Sequence, residues 1–196
     1  DINFFQPESI DIKLPASLGF LFTNIWIVGI INAFNWLDGL DGLATGITFL
    51  TSLAFIACAL NTGVGPTIFL IFALSGACLG FLFYNYNPAK IFMGDGGSYL
   101  MGSIMALFSI YLINFETQTG EESLNLFSII LILFVPLADM SYVVFSRIYE
   151  GKLPFFPDRR HLHYRLMDTG LSHRRTVLIF YFFSIIFSIV ALAFLP

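Results

Sequence analysis

Charge is scarce in this chain. Asp, Glu, Lys and Arg make up 11 % of its 196 residues, whereas 57 % are hydrophobic and Phe alone supplies 24. Mean hydropathy is +0.83. A water-soluble fold of this length has too little interior to hide that much apolar surface, so a soluble domain is excluded and a membrane protein remains. Cysteine is nearly absent. Cys58 and Cys78 both lie inside apolar runs and read as small packing residues, not as a disulfide or metal framework. No basic segment with a short apolar run and a cleavage site opens the chain, so no signal peptide is read. The chain also lacks an initiator Met, starting Asp1-Ile2-Asn3, and is expected to begin within a longer protein. It has no internal repeat, and no nucleic-acid partner is expected.

What the chain does have is long apolar runs. A membrane span needs about 20 mostly apolar residues. Six segments fit: Ala16–Phe34, Leu43–Leu60, Pro66–Tyr84, Tyr99–Phe115, Leu124–Phe145 and Val177–Leu195. The runs are continuous, not alternating, so they predict helices and not barrel strands. The expected fold is an all-α polytopic membrane protein with about six transmembrane helices, forming one membrane-embedded domain over residues 1–196.

Six crossings sort the loops into two sets. Loops 35–42, 85–98 and 146–176 hold every basic residue except Lys13. An excess of Lys and Arg marks the cytoplasmic side. The expected location is therefore the inner (plasma) membrane, with these three loops meeting on the cytoplasmic face. Glu116, Glu121 and Glu122 fall on the other side.

Acids beside membrane spans are functional candidates, because an unpaired carboxylate in lipid is costly. Asp38-Gly39-Leu40-Asp41-Gly42 places two carboxylates three residues apart, on one helical face or converging through a glycine turn. With the amides of Asn32 and Asn35 they suit Mg2+ or the polar atoms of a sugar or base. An ordinary solvated interhelical turn is the bland alternative. In Phe92-Met93-Gly94-Asp95-Gly96-Gly97-Ser98, three glycines around one acid let backbone N–H groups approach a phosphate. Ser98 is expected to open a helix whose N-terminus favours an anion. Asp95 is the candidate Mg2+ ligand, and Phe92 is a candidate for stacking on a base. Helix packing would equally explain the glycines, and interface packing the Phe. No Walker element is present. Asn85 and Asn87 end the third span and read first as helix caps.

Loop 146–176 holds all three His residues and seven basic residues against three acids. Such a loop attracts phosphates. Positive-inside bias explains most of its arginines but not His161 and His163 at i, i+2. A zinc site needs more ligands in a legible spacing, and His173 is a poor third. Phosphate contact or substrate orientation is therefore favoured over metal. Asp139 lies within the fifth span three residues after Pro136, a candidate kink. Partnering a buried polar group is its expected role.

Together these motifs resemble the polyprenyl-phosphate N-acetylhexosamine-1-phosphate transferase family. The family includes enzymes that begin O-antigen, enterobacterial common antigen and teichoic acid synthesis, and the phospho-MurNAc-pentapeptide transferase. Asn-x-x-Asn-x-x-Asp-Gly-x-Asp-Gly-Leu-Ala runs from Asn32 to Ala44, and Phe-Met-Gly-Asp-x-Gly-Ser from Phe92 to Ser98. Pro154 to Arg159, followed by His161-x-His163, resembles the GlcNAc-1-phosphate branch. The resemblance implies a Mg2+-dependent phosphotransferase. A polyprenyl phosphate attacks the β-phosphate of a UDP-N-acetylhexosamine, UDP-GlcNAc in first place, to give polyprenyl-diphosphate-sugar and UMP. By motif position it implies catalytic Asp38, Asp41, Asp95, His161 and His163, with Asp95 the Mg2+ ligand. It implies substrate contacts from Asn35, Asn85, Phe92, Arg159 and Arg160, with Phe92 on uracil and Asp41 nearest the nucleoside. The lipid bilayer and a possible homodimer complete the implied partners.

Two departures stand out. The family motif usually reads His-x-His-His, and the last position here is Tyr164, which donates a hydrogen bond but carries no positive charge. The family also has an adjacent acidic pair in spans before the first motif, absent here, and about ten or eleven spans. The chain is thus expected to be the C-terminal part of such an enzyme. Alternatives are an inactive piece that binds nucleotide sugar, a phospho-MurNAc-pentapeptide transferase, and a transporter or channel built around Asp139.

Overall fold

The structure is a computed structural model describing residues 15–61, 65–114, 125–153 and 160–194. Among the described residues there are helices and no strand. In chain order they are α1 (Ala16–Leu37), α2 (Leu43–Asn61), α3 (Ile68–Asn85), α4 (Gly94–Asn114), α5 (Leu126–Ile132), α6 (Phe134–Tyr149), α7 (Leu162–Asp168) and α8 (His173–Leu192). Five of them (α1 to α4 and α8) are long and apolar enough to cross a membrane, and α5 with α6 forms a bent pair.

Helix α2 is the centre. Of its most apolar window 72 % is buried, against 44 % or less for the other four spans. Helices α3, α8, α4 and α1 all pack on it, while α1 and α4 pair closely with each other. Small residues set those distances. A Cβ added at Gly102 of α4 would sit 2.7 Å from the Ile31 Cα of α1, and one at Gly46 of α2 would overlap the Tyr181 ring of α8. Backbones approach this closely only where side chains are minimal. The hydroxyls of Thr48, Thr51 and Ser52 are buried in the same helix, and each donates to the carbonyl four residues earlier. They are satisfied without a partner helix. Large apolar side chains such as Phe20, Phe69, Phe83, Phe182 and Ile189 stay exposed on the outside, as expected where lipid replaces water. Cys58 and Cys78 are buried and form no disulfide, as their positions suggest.

Four features differ from the sequence expectation. The fifth span is not one helix: α5 and α6 meet at 82° across Leu133. Seven residues rise only about 10 Å, so α5 covers a third of an apolar core ~30 Å thick. Pro136 does not kink a continuous helix. It sits in the first turn of α6, where a missing N–H costs little. Helix α6 then turns Pro136, Asp139, Val143 and Arg147 inward as one buried stripe, facing α1 and α8. Secondly, α4 starts at Gly94 and not near Ser98. Thirdly, α8 starts at His173, so Arg174 and Arg175 belong to its first turn. The short helix α7 was not expected at all.

Candidate active site

The junctions α1–α2, α3–α4 and the segment from 160 to 173 come together at one end of the bundle. Hydrogen bonds tie them. Asp41 accepts from Asn87 Nδ2 (3.0 Å) and from the Ala89 backbone N–H (3.1 Å). Arg174 Nε donates to the Asn87 carbonyl at 3.0 Å, and His173 Nε2 lies 3.3 Å from the Asp41 carbonyl. Tyr181 of α8 donates to the Gly42 carbonyl at 2.5 Å. Gly42 has φ 79°, a left-handed conformation that glycine adopts at no steric cost.

Asp38 and Asp41, read as a pair, part company. Asp41 braces the α3–α4 loop. Asp38 faces the field of Asp95 across the α1–α4 contact. At the last turn of α1, Asn35 Nδ2 donates to Asp95 Oδ1 (3.1 Å) and to Ser98 Oγ (2.9 Å). The Asp38 carboxyl is pushed up to about 6, first by burial and then by the charge of Asp95. An acid whose ionisation is opposed by burial and a neighbouring carboxylate marks a place short of positive charge. Asp95 itself is exposed in the first turn of α4, where a carboxylate is favoured by the helix dipole. Its side chain already occupies the end expected to bind an anion directly. Phe92, three residues earlier, is 79 % exposed.

Asn32 does not join this corner, since its Nδ2 donates to Val28 O within α1. Asn85 does not cap its own helix. Buried, it accepts from Gly42 N–H (3.1 Å) and Thr45 Oγ1 (3.0 Å) and donates to the Ile91 carbonyl (3.0 Å). It thereby caps the start of α2 and fixes the stretch leading to Phe92.

The histidines lie beneath the Asp38–Gly39 turn. Asp139 of α6, fully buried, accepts from the Leu162 N–H at 2.7 Å, and its Oδ2 is 2.7 Å from His161 Nδ1. Its expected role as partner of a buried polar group is thus observed. His163 is fully buried, and neither ring nitrogen has a hydrogen-bond partner among the described residues. Its Nε2 would lie 2.4 Å from a Cβ added at Gly39. Burial pushes its pKa down to about 4, and the charges of His161 and His173 add to this against the pull of Asp139. Trp36 meets His161 edge-on at 5.8 Å, and the Arg147 guanidinium stacks 5.0 Å over Trp36. Arg160 is held by the Glu150 carboxylate and by Ser146 Oγ. Hydrogen bonds from Arg160 and Lys152 pull Glu150 down to about 2. Arg159 lies outside the described residues, as do Lys13, Glu116, Glu121 and Glu122.

Sequence reasoning named Ser98 only as a helix start, and did not place Thr45 or Tyr181 in this network. Serine, threonine and tyrosine in apolar helices carry little signal, because helix carbonyls can satisfy them anywhere. The one usable signal was Asp139 itself, an acid within an apolar run.

Comparison with known proteins identifies the family of the chain. The family model described as Glycosyl transferase family 4 matches residues 2–113. A probable undecaprenyl-phosphate N-acetylglucosaminyl 1-phosphate transferase of Bacillus subtilis is 43 % identical over 176 residues, covering 87 % of this chain and 46 % of that protein. A decaprenyl-phosphate N-acetylglucosaminephosphotransferase of Mycobacterium tuberculosis is 37 % identical over 187 residues, again 87 % and 46 %. A phospho-N-acetylmuramoyl-pentapeptide-transferase of Desulforamulus reducens is 36 % identical over 173 residues, 88 % and 49 %. The chain spans about half the length of these curated relatives. Its motifs, its membrane helices and a family match over more than half its length agree: this multi-pass membrane chain belongs to glycosyl transferase family 4.

Proposed function

We propose that the protein to which this chain belongs transfers GlcNAc 1-phosphate from UDP-GlcNAc to a polyprenyl phosphate, the first step of a cell-envelope polysaccharide. An oxygen of the acceptor phosphate attacks the β-phosphorus. The bond from that phosphorus to the bridging oxygen breaks, and UMP leaves with the oxygen. The observation that carries the reading is the Asn35–Asp38–Asp95 corner, two acids short of positive charge beside an exposed aromatic ring.

The donor set fits Mg2+, which prefers hard oxygen ligands and diphosphate oxygens. Asp95 would hold it, with Asp38 facing it and Asn35 keeping the Asp95 carboxylate oriented. When bound, the cation neutralises charge that develops on the diphosphate. Phe92 stacks on the uracil. Asn85 and Asp41 act by fixing the two loops that carry these groups. His161 and His163 support the Asp38 turn, and Arg160 adds positive charge nearby. An apolar recess of about 410 Å3, lined by Phe134, Val135, Ala138, Ile179 and Phe183 with Arg165 at its side, suits the first isoprene units. The excess of Lys and Arg in these loops supports a site facing the cytoplasm at the plasma membrane.

The test uses the full-length protein in membranes with UDP-GlcNAc, polyprenyl phosphate and Mg2+. Lipid-linked GlcNAc and free UMP should appear in equal amounts, and both should disappear with EDTA. No product from a folded sample rejects the reading. The similarity to the muramoyl-pentapeptide enzyme favours one second donor, UDP-MurNAc-pentapeptide, and product from that donor alone would replace the first reading.

A further inference from the structure

The buried cluster under the Asp38 turn has a feature that the transferase reading does not use. Asp139, His161 and His163 each offer one ligand atom, and these atoms lie within 4.8 Å of one another. All three side chains are buried. His163 presents two ring nitrogens to the interior with no partner among the described residues. Leaving a buried polar group unsatisfied is costly, so an enclosed imidazole facing a second imidazole and a carboxylate is a ligand set suited to an ion. The rings of His161 and His163 stand 5.3 Å apart, centroid to centroid, with planes only 15° from parallel.

We infer that Asp139, His161 and His163 bind a borderline divalent cation of the Zn2+ type, separate from the Mg2+ proposed at Asp95. Two imidazoles and one carboxylate form a zinc ligand set, while Mg2+ selects oxygen alone. Zinc–ligand bonds of about 2.0–2.1 Å put tetrahedral ligand atoms roughly 3.3 Å apart. His161 Nδ1 and Asp139 Oδ2, now at 2.7 Å, need to open by about half an ångström to meet that geometry. The ion takes the place of the proton they share, and that proton leaves to solvent. His163 needs to close by about 1.5 Å at most. Asp139 Oδ1 keeps its bond from the Leu162 N–H, which fixes the carboxylate from behind as outer partners of metal ligands do. The ion would clamp α6 to the start of α7 and, through His163 against Gly39, set the height of the Asp38 turn.

The experiment uses the full-length protein in nanodiscs, without nucleotide or lipid substrate, in buffer holding excess Mg2+. After incubation with Zn2+ and desalting, bound zinc is counted by plasma mass spectrometry, and Co2+ loading is followed by its visible absorption. About one zinc per chain is expected, falling roughly tenfold or more in His163→Gln and Asp139→Asn and unchanged in Asp95→Asn. Zinc should also raise the melting temperature of the unsubstituted protein, reversibly with chelator. Unsubstituted protein that retains less than about a tenth of a zinc per chain overturns the inference, whatever the variants do. So does full zinc in a folded His163→Gln. Because no substrate is present, failure here leaves the transferase reading untouched.

Discussion

Two aspartates bear on the Asp38–Gly39 turn, Asp95 through its charge on Asp38 and Asp139 through the histidine cluster, yet they live in opposite surroundings. Asp95 is exposed, held by one amide from Asn35, and repels Asp38. Asp139 is fully buried and is met by a backbone N–H and an imidazole. The first is left open to a further partner, the proposed cation. The second is held by the Leu162 N–H on one oxygen and shares the other with His161, the side on which the inferred ion would sit, the burial of a charge being tolerable only where it is paired. The difference teaches how to rank acids in a membrane chain: the partners left over matter more than depth in an apolar run.

That contrast can be broken by experiment. Asp139→Ala should have the largest effect, a loss of about 3–5 kcal/mol of stability, since removing one partner strands the others in the interior. Thermal unfolding in detergent reads it, and a melting temperature like that of the parent would make Asp139 no more structural than Asp95. Asp95→Asn should lower turnover about 10²–10³-fold, the size of a lost electrostatic contact to a transition state, with the melting temperature kept. Retained turnover ends the assignment of the cation to that corner. Asn35→Ala should cost roughly 10–100-fold through a misdirected Asp95, as losing an outer partner of a metal ligand does. Raised Mg2+ should restore part of it.

Gly39→Ala probes the seam between the two regions. Its new methyl meets the buried His163 ring, so about 1–3 kcal/mol of stability should go, and activity should fall with it. Loss of one without the other would show that the two corners are independent. The smallest effect concerns Glu150 and Arg160. Glu150 titrates at about 2 in the folded protein against 4.5 ordinarily. Its depressed value contributes stability above pH 4.5 that is lost as pH falls from there towards 2. Glu150→Gln should therefore flatten acid unfolding in that window, and the group is exposed, so the change should be slight.

The spans were legible because lipid demands continuous apolar runs, and the clustering of loops 35–42, 85–98 and 146–176 followed from the placement of basic residues. Asp38, Asn35 and Asp95 were legible as polar groups in such surroundings. The break at Leu133 was not, because no Gly marks it and Pro136 pointed three residues too late. The start of α4 was misplaced because Gly94, Gly96 and Gly97 suggest a loop, whereas α4 includes all three. The third member of the histidine cluster could not be found by spacing, since Asp139 is 22 residues from His161 and reaches it only after α6 turns inward.

The bond from Tyr181 to the Gly42 carbonyl joins residues 139 positions apart. During synthesis the Asp-Gly turn emerges first and its latch follows roughly 7–28 s later, at 5–20 residues per second. Until α8 enters the bilayer, the carbonyl of Gly42 lacks that donor, and Gly46 lacks the ring that covers it. The acidic motif is thus made early and finished late. A nascent chain therefore cannot complete this turn before α8 is in place.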